Sequence, residues 1–227
     1  AILKVPALAS IPRQRQLRTG AGEAASVADS LIIAPLSIYS ESIRRIRIGI
    51  DQAVQHRRDP EAEEKREGLV IAVSSAAPGE GKTTLALSLA RAYSLAGMST
   101  LLIDCDLRKP NVHRQLGMEP SEGLLEYLGR PKDGIELKSI MTVDSGSGAQ
   151  IILGSRRADV PTDQLVAGRT FARLVSAARE NFDIVVLDTP PVGPVVDGLY
   201  LAGMADAVLF VVDATVGATA TDEAVAR

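Results

Sequence analysis

Gly68-Leu-Val-Ile-Ala-Val-Ser-Ser-Ala-Ala-Pro-Gly-Glu-Gly-Lys-Thr-Thr84 is the stretch whose reading decides the fold. Leu69 to Val73 is an apolar, β-branched run without polar alternation, the pattern of a parallel strand covered on both faces. A turn through Pro78-Gly79-Glu80-Gly81 follows, and from Lys82 the leucines and alanines read as a helix. Strand, glycine turn and helix start make a phosphate cradle, because the free backbone N–H groups of a helix start converge on one spot and the macrodipole makes it positive. Gly79 and Gly81 let the backbone close around an anion with no Cβ in the way. Lys82 is placed to reach the outer phosphates, and the Thr83 hydroxyl can ligate magnesium. The candidate nucleotide-binding residues are therefore Pro78, Gly79, Glu80, Gly81, Lys82, Thr83 and Thr84. One position departs from G-x-x-x-x-G-K-[ST]: Ala76 stands where the first glycine belongs.

With 227 residues, 46% of them hydrophobic, the chain can build one α/β domain with a sizeable core plus an appendage. A net charge of -3 argues against general nucleic-acid binding, and 3% aromatics without Trp argue against a base-stacking platform. Cys105 is the sole cysteine, so no internal disulfide can form and a reducing compartment is expected. No apolar run reaches 18 residues, so no stretch spans a membrane by itself. The chain starts at Ala1 without Met and stops at Arg227 in a helical pattern running from Thr221 to Ala226, which a parallel fold would follow with another strand. A missing C-terminal piece is expected.

Residues 1–36 read as an irregular linker with Pro6, Pro12 and Pro35 and a basic patch of Arg13, Arg15 and Arg18 that could lie near an anionic membrane surface. Residues 37–67 read as a helix from Ser37 or Ser40 to about His56, then a charge-dense connector. Ile43, Ile46, Ile50 and Val54 form its buried stripe. Glu41, Arg44 and Arg47 fall on a neighbouring face, where Glu41 could simply pair with Arg44 or Arg45 in solvent. The third unit is 68–227. In it a second buried strand ends at Asp104, and short elements follow, a helix at Gly123 to Leu128 and a strand at Ala149 to Leu153. Then come a helix from Pro161 to Glu180, a third buried strand from Phe182 to Asp188, and a fourth at Ala205 to Val212. Strands alternating with helices give a mostly parallel sheet flanked by helices, a P-loop NTPase architecture.

Ligands of open parallel sheets sit beyond the carboxyl ends of the strands, so Lys82, Thr83, Asp104, Asp106 and Asp188 converge beside the cradle. Phosphoryl transfer needs charge stabilisation and in-line placement, which a lysine, magnesium and carboxylates supply. Asp188 reads as the metal-holding carboxylate; Asp104 or Asp106 could hold the metal too, or take a proton from an attacking hydroxyl. Cys105, flanked by two acids, reads as a packing residue, and His113 as one that packs or hydrogen-bonds.

These motifs resemble the bacterial tyrosine kinases, the cytoplasmic P-loop domains of polysaccharide co-polymerases that govern capsule and exopolysaccharide production. Ser75 to Thr84 resembles their Walker A, Leu101-Leu-Ile-Asp-Cys-Asp-Leu-Arg-Lys-Pro110 their extra Walker A′, and Phe182 to Pro191 their Walker B. Gly123 to Leu128 and Pro194-Val-Val-Asp197 are similar to further family segments, and Val5 to Pro12 to the stretch after the second transmembrane helix of fused members. The resemblance implies ATP and Mg2+ as cofactors and Lys82 on phosphates. It puts Thr83, Asp104, Asp106 and Asp188 at the metal, with Lys82, Asp104 and Asp106 as the catalytic set and Arg108 as a further motif residue. Glu41-x-x-Arg44-x-x-Arg47 matches the helix through which members assemble into a ring. The implied place is the cytoplasmic side of the bacterial inner membrane. The implied partners are a transmembrane co-polymerase part, fused or separate, and the tyrosine-rich tail of a neighbouring subunit. The chain departs from the family in lacking such a cluster, having only Tyr39, Tyr93, Tyr127 and Tyr200.

Two other readings share the fold. A switch ATPase of the Min or partitioning type would carry a signature lysine five residues before Lys82, where this chain has Ala77. A nucleotide-binding scaffold of the polysaccharide machinery would use the same residues without transferring a phosphoryl group.

Overall fold

The computed structural model describes residues 7–14, 17–18, 24–55, 67–119, 122–129, 137–155, 161–193 and 197–214. Helix α1 spans Ile38–Gln55, and Ser37 starts it by accepting the Ser40 N–H on its Oγ at 3.2 Å. Its stripe of Ile43, Ile46 and Ile50 is buried, with Val54 packed at the edge. After it come β1 (Leu69–Ser75), α2 (Lys82–Ser94), β2 (Thr100–Asp104), α3 (Val112–Leu116), α4 (Leu124–Gly129), β3 (Met141–Val143) and β4 (Gln150–Ile152). The described chain closes with α5 (Thr162–Val166), α6 (Arg169–Asn181), β5 (Ile184–Asp188), α7 (Asp197–Ala202) and β6 (Ala207–Val211).

One six-stranded sheet, in the order β3-β4-β2-β5-β1-β6, forms the middle layer; every pairing is parallel except β3 with β4. The central strands are apolar throughout because both their faces are covered. Ile71, Val73, Leu102 and Val186 point into the layer containing α1 and α2. Their chain neighbours Val70, Leu101, Ile103, Val185 and Leu187 point into the opposite layer, with Leu124, Phe171, Leu174 and Leu201.

Polar side chains tie α2 to its surroundings along one stripe. Arg91, 4% exposed, donates through Nε and Nη2 to Asp144 at 2.8 and 3.0 Å and through Nη1 to Asp29. One turn back, Ser88 lies 2.7 Å from the Tyr39 hydroxyl of α1, and Thr84 Oγ1 accepts from Gln115 at 3.2 Å. The Arg91 guanidinium is held protonated although burial opposes its charge, because two carboxylates answer it.

Three expectations change. Residues 26–33 are not an irregular linker: Val27–Asp29 and Ser30–Ile33 are short helical turns, and Ala28 and Leu31 are buried in the core. The single helix expected from Pro161 to Glu180 is two, because Gly168 is extended (φ -76°, ψ 155°) and caps the start of α6. The antiparallel edge strand β3 had no reading in the sequence, since three residues carry too little periodicity to register. The connector at 56–66, the Pro194-Val-Val segment and the helix expected at 221–226 lie outside the described residues.

Candidate active site

Register builds the site. Asp104 pairs directly with Asp188 across β2 and β5, and Asp188 pairs with Val73 of β1, so two carboxylates sit flush at adjacent strand ends beside the turn that follows β1. Both are fully buried. Lys82, the first residue of α2, is 8% exposed and places its Nζ 2.7 Å from Asp106 Oδ2. Asp106 Oδ1 accepts the Lys109 N–H at 3.1 Å, which fixes the turn after β2. Asp104 Oδ2 accepts the N–H groups of Asn111 and Val112, each at 3.1 Å. The predicted catalytic and metal residues Lys82, Asp104, Asp106 and Asp188 are thus brought together.

Electrostatics follow from this crowding. Burial raises the Asp188 carboxyl to about 7, against the lowering pull of the Lys82 charge and the nearby Thr83 hydroxyl, although neither Asp188 oxygen has a partner at full hydrogen-bond geometry. Burial and then the Asp188 charge push Asp104 well above the ordinary carboxylate range, while the Val112 amide works the other way. Burial pulls Lys82 down, but Asp188, Asp106 and Asp104 together outweigh it and keep the ammonium protonated. The Cys105 thiol is pushed up by burial and then by the flanking carboxylates, so it is a packing residue, not a nucleophile.

The residues fit a magnesium ion and a phosphate chain. Asp104 Oδ1 and both oxygens of Asp188 are buried without a partner, an arrangement of hard oxygen donors that a small cation completes. Among the described residues no three His, Cys, Asp or Glu side chains gather into a self-sufficient cage. Magnesium does not need one, since it is commonly held through one or two carboxylates with water and substrate phosphate filling the rest. The loop fits an anion: Gly79 and Gly81 have φ of +89° and +90°, and a Cβ on either would project into open space. Ala76 is accommodated because no described non-glycine residue has positive φ, and its side chain packs with Val192 and Phe210. Close approach is supplied from the other side by Gly193, where a Cβ would stand 2.5 Å from the Ala76 carbonyl oxygen.

Arg108 reaches away from the cradle to Asp197, at 3.2 and 3.3 Å, and that buried carboxylate also accepts the Thr162 hydroxyl at 2.8 Å. The tie joins the turn after β2 to the starts of α5 and α7, and the sequence signal for Asp197 was its place in the family-like segment Pro194-Val-Val-Asp197. Glu80 turns its side chain back: Oε2 accepts the Ala77 N–H at 2.7 Å and Oε1 the Asp213 N–H at 3.4 Å. His113 Nδ1 is buried without a partner, so of the two expected roles, packing or hydrogen-bonding, that atom takes the first.

The remaining candidates lie on α1, on the far side of α2. Glu41 pairs within its own helix, with Arg44 at 3.0 Å and Arg45 at 4.0 Å, and Arg44 also donates to the Pro35 carbonyl at 2.6 Å. Arg47 donates to the Ala92 carbonyl at 3.4 Å and stands 6.0 Å from the Tyr93 ring centre. Arg44 and Arg47 line a groove of about 420 Å³ together with Leu31, Pro35, Ala92 and Leu95.

The chain is similar in sequence and fold to known proteins. The AAA domain family matches residues 68–222. The succinoglycan biosynthesis transport protein ExoP of Rhizobium meliloti is 33% identical over 186 residues, covering 81% of this chain and 22% of ExoP. The tyrosine-protein kinase YwqD of Bacillus subtilis is 31% identical over 180 residues, covering 78% of this chain and 70% of YwqD. Among solved structures, the chimerical protein CapA2B2 superposes with a TM-score of 0.77 at 26% identity, covering 97% of this chain and 86% of that one.

Proposed function

This chain belongs to the AAA domain family and, within it, to the bacterial tyrosine-protein kinases, and from that premise we propose that it is an ATP-dependent protein-tyrosine autokinase serving exopolysaccharide or capsule production. The observation that carries the reading is the Lys82 ammonium 2.7 Å from Asp106, with unpartnered, buried oxygens of Asp104 and Asp188 at the neighbouring strand ends. In this reading the backbone from Gly79 to Thr84 cradles the phosphates and Lys82 neutralises the outer ones. Thr83 and Asp188, with Asp104 or Asp106, would hold magnesium, which supplies charge neutralisation at the phosphates. In this reading Asp104 or Asp106 accepts the proton of a tyrosine hydroxyl as its oxygen attacks the γ-phosphorus and the bond to the leaving ADP breaks.

In this reading the acceptor is a tyrosine on a neighbouring subunit's tail; of this chain's own tyrosines, Tyr39 and Tyr93 are buried and Tyr127 is half-buried, and Tyr200, 51% exposed, is the accessible one. We place the protein in a ring at the cytoplasmic face of the inner membrane, alongside a transmembrane co-polymerase part. No helix among the described residues is long and apolar enough to cross a membrane.

The test is incubation of the full-length protein with labelled ATP and detection by anti-phosphotyrosine antibody, beside Lys82→Met. Phosphotyrosine in the wild type and its loss by at least about a hundredfold in the variant support the reading. ADP release without phosphotyrosine would make the protein a switch ATPase. That alternative is disfavoured by Ala77, which stands where a cross-subunit lysine would be needed.

A further inference from the structure

The tip of the phosphate loop has few contacts of its own. Gly79 and Gly81 stand free of neighbours within 4 Å of where a Cβ would be, so side-chain packing does not hold the tip in shape. Between them, Glu80 is half-buried, with its carboxylate facing backbone amides. It satisfies two backbone donors: the Ala77 N–H, three residues earlier in the same loop, and the Asp213 N–H, just beyond the end of β6. Because β6 lies beside β1 in the sheet, Asp213 leaves the sheet next to the strand that feeds the loop.

A carboxylate on a loop built for a polyanion is otherwise a cost, since like charges repel across a short distance. Turning it back onto backbone amides removes that conflict and gives each amide a charge-assisted acceptor. We propose that Glu80 is a positioning residue that braces the phosphate loop, fixing its curvature through Ala77 and locking it to the exit of β6 through Asp213. The brace rests on the nucleotide-binding reading above. It places Glu80 outside direct contact with phosphates through its side chain, and it makes the segment after β6 mechanically continuous with the loop. Whatever shifts that segment changes the loop's grip on a phosphate chain.

The experiment measures, on the full chain, the affinity of a fluorescent ADP analogue, backbone hydrogen exchange, and KM for ATP and kcat of autophosphorylation. The variants are Glu80→Ala, Glu80→Gln and Asp213→Pro, with Asp213→Ala as a control that keeps the backbone N–H. Glu80→Ala is expected to weaken ADP binding about tenfold and raise KM by a similar factor with kcat changed less than about twofold, as loss of two charge-assisted hydrogen bonds predicts. Exchange at the Ala77 and Asp213 amides should quicken in the same variant. Glu80→Gln, which keeps one carbonyl acceptor for two donors, should fall between wild type and Glu80→Ala. Asp213→Pro should lose affinity only when Glu80 is present, so the double variant is no worse than Glu80→Ala.

A Glu80→Ala protein that binds ADP as tightly as wild type, or whose defect lies in kcat alone, overturns the brace while leaving nucleotide binding intact. A wild type with no affinity for ADP overturns the nucleotide reading itself and the brace with it. A loss in Asp213→Ala equal to that in Asp213→Pro also overturns the proposal, since it would assign the effect to the Asp213 side chain.

Discussion

Asp188 combines the two opposing demands of this site. Its carboxylate is fully buried with no partner on either oxygen, and burial lifts its carboxyl to about 7. A carboxyl raised in the folded state above its unfolded value contributes stability at low pH that is lost as pH climbs toward the folded value. Above neutrality the fold therefore carries a buried charge that hinders it. Asp188→Asn is expected to melt several degrees higher than wild type in EDTA at pH 8, at about 2–4 °C per kcal/mol for a chain of this size, with the gap closing near pH 4. Magnesium-dependent ADP affinity should fall in the same protein, and equal melting temperatures at pH 8 would remove the electrostatic account. This residue was legible in the sequence because an acidic tip on a buried strand behind a P-loop is a local pattern. Asp197 was not legible as the partner of Arg108, since 89 positions separate them and only the fold brings them to 3.2 Å.

Among the elements, α2 carries most of the coupling. Its N-terminus supplies the cradle, and the stripe of Thr84, Ser88 and Arg91 is answered by Gln115, Tyr39, Asp29 and Asp144. Burial alone would raise the Asp144 carboxyl, but the Arg91 guanidinium and the Ser147 hydroxyl outweigh it and hold it below its ordinary value. A carboxyl lowered in the folded state gives stability that is present above its unfolded value, near 3.8, and is lost as pH falls through the folded one. Asp144→Asn should cost about 3 kcal/mol at pH 7, as breaking one arm of a buried pair does, and the penalty should shrink as pH falls below 3.8 and through the lower folded-state value. Thermal melts at neutral and acid pH decide it: a penalty that does not shrink in acid would show that Asp144 acts through packing alone. Polar ties of this kind escape a sequence reading. Arg91 looks like any helical arginine until the turn at Asp144 and the segment at Asp29, 62 residues upstream, are folded against it.

Across the whole molecule, α1 and described residues before it, among them Ala28 and Leu31, pack into the same core as the sheet, with Leu8 so close on α1 that a Cβ at Gly49 would stand 3.0 Å from its Cδ2. An apolar groove beside Arg44 and Arg47 lies on this side, lined by Leu31, Pro35, Ala92, Leu95 and Ala96. If that face makes the ring, Arg44→Ala with Arg47→Ala should lower the mass in light scattering toward that of one chain, and an unchanged mass would leave Glu41 and Arg44 as an ordinary intrahelical pair. The parallel sheet was readable because its strands are continuous apolar runs. The docked N-terminal turns were not, since Val27–Asp29 and Ser30–Ile33 are too short to show a helical period. The pairing of Asp104 with Asp188 across β2 and β5 also limits how the chain can vary in length. Adding or deleting one residue between Ser99 and Asp104 would carry the acidic tip to the opposite surface of the sheet, so substitutions that keep these strands apolar are tolerable where an indel is not.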